Sequence, residues 1–247
     1  MRLPERLERP PLVEAILELR FESSRAAIGD LLPGLLYAKL SRHFDRVEPL
    51  PLAAIPRQMR QPNPDLWYRP HVRLLGDGQS LLLGDRVLSI SREPPYAGWA
   101  GFRSLCQETL EALRETELLE SLERYSFKCQ NLLEHEGKHP LAVIDGDLRL
   151  GPHTLSADGL RVRAEIHHAG FVSIVDLASA VTVESSGGKR SGLLVSVDTL
   201  RPTTSEEFWP AVSAHIDNAH DVLKAIFFSL LTPDYVRSLG PVWSEES

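Results

Sequence analysis

From Leu12 to Glu22 apolar and polar positions alternate: Val13, Ala15, Leu17, Leu19 and Phe21 against Glu14, Ile16, Glu18, Arg20 and Glu22. A period of two predicts a strand with one buried face, and Pro10 and Pro11 precede it, where missing N–H groups leave the ladder intact. Ser23 and Ser24 then offer a cap for a helix running to about Phe44. Pro33 and Gly34 place the start of its regular part near Pro33, with Leu36, Leu40 and Phe44 spaced by four. Prolines at 49, 51, 56, 62, 64 and 70 predict that the arm from Val47 to Pro70 is extended or turned and lies outside the core. Val72 to Leu75 and Ser80 to Leu83 flank a Gly76-Asp77-Gly78 turn, and Arg86 to Arg92 adds a third antiparallel strand. Trp99, Phe102, Cys106, Leu110 and Leu113 predict an amphipathic helix from Trp99 to Leu119, with Glu108, Glu111, Glu115 and Glu117 outside. Arg124 to Asn131 reads as a strand that points Tyr125, Phe127 and Cys129 inward.

The polar stretch Glu134 to His139 separates two halves, residues 1–133 and 134–247, which otherwise form one continuous domain. Beyond it, Asp147 to Leu150, Leu160 to His167, Gly170 to Val183 and Leu193 to Val197 predict a β-meander. Its turns fall at Ala157 to Gly159, Ala169-Gly170 and Ser185 to Gly192. Trp209, Val212, Ile216, Ala219, Leu223, Ile226 and Leu230 form one apolar stripe on a last helix, whose start Pro210 limits. The pattern is α+β: antiparallel sheet with helices on one face, the first half a ferredoxin-like split βαβ, the second a β-meander with a long C-terminal helix.

Composition narrows the setting. The 247 residues are 43% hydrophobic, enough for a substantial core, and the net charge of −7 excludes a wholesale basic coat for duplex DNA or anionic membrane. Two cysteines, Cys106 and Cys129, both in apolar settings, exclude a disulfide scaffold or a cysteine zinc site and favour a reducing, cytoplasmic compartment. Residues 1–9 lack an apolar core and no run approaches 18 apolar residues, so neither a signal peptide nor a membrane span is expected.

Candidate chemistry is sparse. His215 and His220 lie about 140° apart around one helix and cannot share an ion, which leaves only Asp217 and His220 on a common face. Glu165 and His167 share a strand face, where a cross-strand or turn role competes with acid/base chemistry. The chain has no G-x-S-x-G elbow, and cysteines on core faces stay inert. No catalytic residue, metal site or cofactor is expected. The run from Ser185 to Gly192 holds Lys189 and Arg190 among glycines and serines, and reads either as a phosphate-cradling loop or as a plain hairpin tip. It departs from a Walker A loop at Val183 and Arg190.

Between Arg57 and Arg92 six arginines face three aspartates, with Trp67, Tyr68 and His71 among them. Two readings stay open. Arg57, Arg60, Arg69 and Arg73, with Lys189 and Arg190, would suit nucleic acid or a phosphorylated ligand. Alternatively, Trp67 and Tyr68 plug an apolar groove of the same chain or of a protein partner.

Several segments resemble a sporadically distributed bacterial protein family of unknown function. They are Pro10-Pro11-Leu12-Val13-Glu14-Ala15, Leu32-Pro33-Gly34-Leu35-Leu36-Tyr37, Leu50-Pro51-Leu52 with Ile55-Pro56, Arg86 to Ser91, Pro95-Tyr96-Ala97-Gly98-Trp99 and Phe227 to Pro241. The resemblance implies architecture and no catalytic residue, and its scattered distribution suggests a mobile-element or defence setting. The expectation is a non-catalytic module that contacts its own copy or an operon-encoded protein, the alternative being a nucleic-acid or phosphorylated-ligand binder or enzyme.

Overall fold

A computed structural model describes residues 2–25, 27–96, 98–135, 139–146, 148–154, 159–185 and 188–243. The chain folds into two compact units, one of residues 14–127 and 200–218, the other of residues 1–13, 128–199 and 219–247. The units are interleaved in sequence, and residues on both sides of 133/134 belong to the second.

The first unit opens with β1 (Leu12–Glu22), where Ala15, Leu17, Leu19 and Phe21 are buried as the alternation predicts. Helix α1 (Ile28–Lys39) follows and starts five residues earlier than expected, with Pro33 in its interior. That proline cannot donate to the Gly29 carbonyl four residues back, and His71 does so instead, its Nε2 3.1 Å away. Residues 46–70 are more regular than an irregular arm. They hold β2 (Arg46–Pro49), a short helix Arg57–Arg60 and two single 3-10 turns, Pro51–Ala54 and Pro64–Leu66.

A meander of β3 (Pro70–Gly76), β4 (Gln79–Gly84) and β5 (Val87–Arg92) comes next, turning at Asp77-Gly78 with Gly78 at φ 63°. Helix α2 (Trp99–Arg114) then leads into β6 (Ser121–Leu133). The helix stops short of Leu119 because the Thr116 hydroxyl donates to the Leu113 carbonyl at 2.7 Å and Glu117 turns left-handed, φ 52°.

Strand order in this unit is β6-β1-β5-β4-β3-β2. Its first four positions are the fourth, first, third and second strands of a split βαβ arrangement, extended by two antiparallel strands. Helices α1 and α2 touch each other and rest on β3, β4 and β5, so they cover one face. Within β6, Tyr125, Ser126 and Phe127 are all buried, as are Asn131, Leu132 and Leu133. The one-sided pattern expected there gives way to a strand covered on both faces, and Cys129 is half-buried.

In the second unit the order is β7-β8-β9-β6, with β7 (Arg161–His168), β8 (Phe171–Ser185) and β9 (Gly188–Pro202). The first hairpin turns at Ala169-Gly170, both at positive φ. Two short pairs accompany them, Arg149–Leu150 with His153–Thr154 and Arg6–Leu7 with Pro241–Val242. The expected turn residues Ala157 and Asp158, the start of a strand at Asp147, and residues 136–138 of the polar stretch lie outside the described residues.

The C-terminal helix is preceded by a separate turn, Ser205–Phe208, whose Glu207 N–H is capped by Thr204, and Pro210 sits in a 3-10 link. Helix α3 (Val212–Ser229) passes through both units, and α4 (Pro233–Ser238) follows. Ile216, Ala219, Leu223 and Ile226 are buried as the stripe requires, while Trp209 is half-buried. Among the described residues no helix is long and apolar enough to cross a membrane.

Candidate functional site

The arginine-rich segment spends its charge on partners within the chain, although only Arg60 is buried. Arg60 is buried, its Nε 3.0 Å from Asp85 and its Nη1 donating to the Ile55 carbonyl at 2.8 Å. Arg73 pairs with Glu48 at 2.9 Å, Arg57 with Asp30 at 3.6 Å, and Arg69 donates to the Asp65 carbonyl at 3.2 Å. Arg86 covers the Trp67 ring at 3.9 Å and pairs with Glu22 at 3.2 Å. The four arginines proposed as one phosphate-gripping surface are thus divided among local partners.

Trp67 and Tyr68 dock on their own unit. The Trp67 indole donates to the Gln61 carbonyl at 2.7 Å. The Tyr68 hydroxyl donates to the Glu123 carboxylate at 2.5 Å beneath Arg20, whose guanidinium is 4.2 Å from the ring. Burial, and then that hydrogen bond, raise the Tyr68 hydroxyl above its usual value. Both rings are half-buried supports of the arm.

Lys189 and Arg190, expected on a loop, stand on β9. The strand begins at Gly188, and Ser186 and Gly187 of the glycine-rich run lie outside the described residues. Lys189 pairs with Glu184 at 2.6 Å and Arg190 with Glu134 at 2.5 Å. Gly192 is required by close backbone approach: a Cβ there would lie 2.4 Å from the Leu133 carbonyl oxygen.

The histidines divide between structural and surface roles. His215 Nε2 donates to the Glu207 carbonyl at 3.0 Å, which leaves Nδ1 to accept from the Tyr125 hydroxyl at 3.2 Å, and its ring stacks on Phe208. Asp217, the expected neighbour of His220, is gripped by both Arg103 nitrogens at 2.7 Å and by the Trp99 indole at 3.2 Å. On the surface, His43 Nε2 lies 2.6 Å from Glu108, which also meets Arg42. Partial burial opposes the charge of Glu108, yet these hydrogen bonds hold its carboxyl below the usual range. Ser104 donates to Glu108 at 3.2 Å and not to His43, so this cluster lacks the serine–imidazole hydrogen bond of an activated hydroxyl. Burial pushes the Cys129 thiol up to about 12 and that of Cys106 well above its ordinary value, which removes the nucleophilic thiolate. Among the described residues no group of three metal-ligating side chains occurs.

The accessible surface also carries large apolar side chains. Leu31 and Leu35, four apart on the outside of α1, Val47 on β2 and Met59 on the short helix are 47%, 42%, 46% and 64% exposed. The Arg57–Asp30 pair fastens that short helix beside the start of α1. An open groove of about 600 Å³ lies on the same arm, walled by Leu50, Pro51, Leu52, Ile55, Leu66 and Pro70 with Arg69 among them. Along β2, Leu50 N–H bonds inward to the His71 carbonyl, so by alternation Pro49 occupies an outward position where it has no N–H to offer. Exposure of Leu31 and Leu35 follows from helical spacing only once the helix is known to run through Pro33, which explains why the sequence pattern missed it.

No protein-family model matches the chain, and no curated protein matches its sequence.

Proposed function

We propose that the protein is a non-catalytic binding and assembly module that captures a protein partner, its own copy or an operon-encoded one, through the surface formed by α1, β2 and the proline-rich arm. One observation carries the reading: of the five large apolar side chains exposed among the described residues, four, Leu31, Leu35, Val47 and Met59, fall with a mainly apolar groove in a single stretch of one unit, residues 31–70, and only Trp243 lies in the other. Large apolar groups left in water at this density are the usual mark of an interaction surface. The arm is stiffened by its prolines and held by the Arg60–Asp85 pair, so docking on it orders little that is not already ordered. Two free thiols without a disulfide support a reducing, cytoplasmic setting, and the resemblance to a sporadic bacterial family supports a mobile-element or defence context.

Analytical ultracentrifugation of the chain, alone and with the products of neighbouring genes, tests the reading. Association is expected, weakened at least about tenfold by Leu35→Glu and by Met59→Glu with the melting temperature unchanged. A chain that stays monomeric and captures none of those products, or whose association ignores both substitutions, overturns it. Binding of single-stranded nucleic acid that weakens with salt and with Arg69→Ala would favour the alternative reading instead.

A further inference from the structure

In the unit that holds both chain ends, Pro10 and Pro11, the end of β6, residues 142–143 and α4 enclose a cavity of about 480 Å³. Backbone hydrogen bonds fix its walls: Arg9 N–H to the Leu239 carbonyl at 3.0 Å, Leu132 N–H to Pro11 at 2.8 Å and Thr232 N–H to Val143 at 3.0 Å. The enclosure is therefore built before any occupant arrives, with apolar surfaces from Leu132, Val143 and Leu239. Its two acidic side chains are already neutralised, Glu134 by Arg190 at 2.5 Å and Asp234 by Arg237. Arg9 at the rim has no ion pair among the described residues. His135 also lines the cavity, and its Nδ1 is shut off from water with no hydrogen-bond partner among the described residues. A buried polar atom in that state calls for a partner, and none of the described residues supplies one.

We infer that this cavity binds a small amphipathic anion, a carboxylate or phosphate monoester carried on an apolar ring or short chain. The guanidinium of Arg9 takes the anionic group, His135 supplies the hydrogen bond, and the apolar walls take the ring. The unmatched charge sets the sign of the ligand and the size of the cavity sets the limit on its bulk. The polar stretch that begins at Glu134 marks this site in the sequence as a break in the apolar pattern.

Imidazole NMR of the full chain tests the proposal, with the His135 signal assigned by its loss in His135→Gln. The probes are benzoate and phenyl phosphate, with benzyl alcohol and inorganic phosphate as controls lacking the charge and the ring. Saturable shifts of the His135 signal are expected with one or both anionic aromatic probes, and responses at least about tenfold weaker with both controls. Stronger benzoate binding assigns a carboxylate, stronger phenyl phosphate binding a phosphate monoester. Arg9→Ala, at an exposed position that leaves the fold intact, should weaken the binding at least about tenfold. If His135→Gln does not fold, the same probes are read by calorimetry on the parent chain and Arg9→Ala alone. Absence of saturable binding up to about 10 mM, equal binding of benzoate and benzyl alcohol, or indifference to Arg9→Ala overturns the inference.

Discussion

His71 Nε2 lies 3.1 Å from the carbonyl oxygen of Gly29, the acceptor that Pro33 leaves empty within α1. A residue 42 positions away thus completes a helix whose own sequence breaks its hydrogen-bond ladder. The same approach leaves no room at Gly29, where a Cβ would stand 2.4 Å from Asp85 Oδ1 and 2.6 Å from His71 Cε1.

Gly29→Ala should therefore destabilise the protein by about 2 kcal/mol or more, although alanine normally favours a helix by about 1 kcal/mol over glycine. Gly34 on the same helix has nothing within 4 Å of its virtual Cβ, and Gly34→Ala should stabilise by about 0.5–1 kcal/mol. Urea unfolding of both variants reads the difference, and a stabilising Gly29→Ala would show that His71 does not sit against α1.

Burial, and then the charge of Arg60, hold His71 below its ordinary value of 6.5. The folded chain binds that proton less readily than the unfolded chain, so the stability it contributes is complete above pH about 6.5 and is lost as the pH falls through 6.5 towards the lower folded value. Between about pH 7 and pH 5 the parent should lose more stability than His71→Gln, which keeps a donor for Gly29 but cannot be protonated. Parallel stability profiles would contradict the assignment.

Arg60 and Asp85 form an ion pair with side chains 5% and 14% exposed. Arg60→Met leaves the carboxylate unpaired in that setting and should cost about 3 kcal/mol. Arg69→Met, at an exposed position bonded only to a carbonyl, should change stability by less than about 0.5 kcal/mol. Thermal melts of the two variants check this, and equal effects would place Arg60 at the surface.

With the Cys129 thiol pushed up to about 12, only about one molecule in 10⁴ carries its thiolate at pH 8. A thiol reagent should modify both cysteines slowly in the native protein and within seconds in denaturant. Fast native labelling of Cys129 would reopen a redox or nucleophilic role for β6.

The alternation of β1, the Gly76-Asp77-Gly78 turn, and the stripes of α2 and α3 were readable because they report local geometry: a period of two or 3.6 and a glycine where φ turns positive. From those the α+β class and the split βαβ order followed, as did the burial of Cys106, while Cys129 is half-buried. Other features depended on partners far along the chain. Helix α1 runs through Pro33 with His71 donating to the Gly29 carbonyl in the proline's place, and β6 buries the consecutive residues Tyr125, Ser126 and Phe127, which alternation assigns to opposite faces. Arg60 and Arg73 looked like free cations because Asp85 and Glu48 stand 25 residues away. The cavity beside His135 draws its walls from Arg9 to Pro11, Leu132, Glu134, Ala142, Val143, Arg190 and the stretch Thr232 to Leu239, and no local pattern brings those segments together. Local spacing encodes which face of an element is apolar. Which polar groups meet across the fold is a matter of tertiary distance, and that alone decided whether each charged side chain became a support or stayed free to bind.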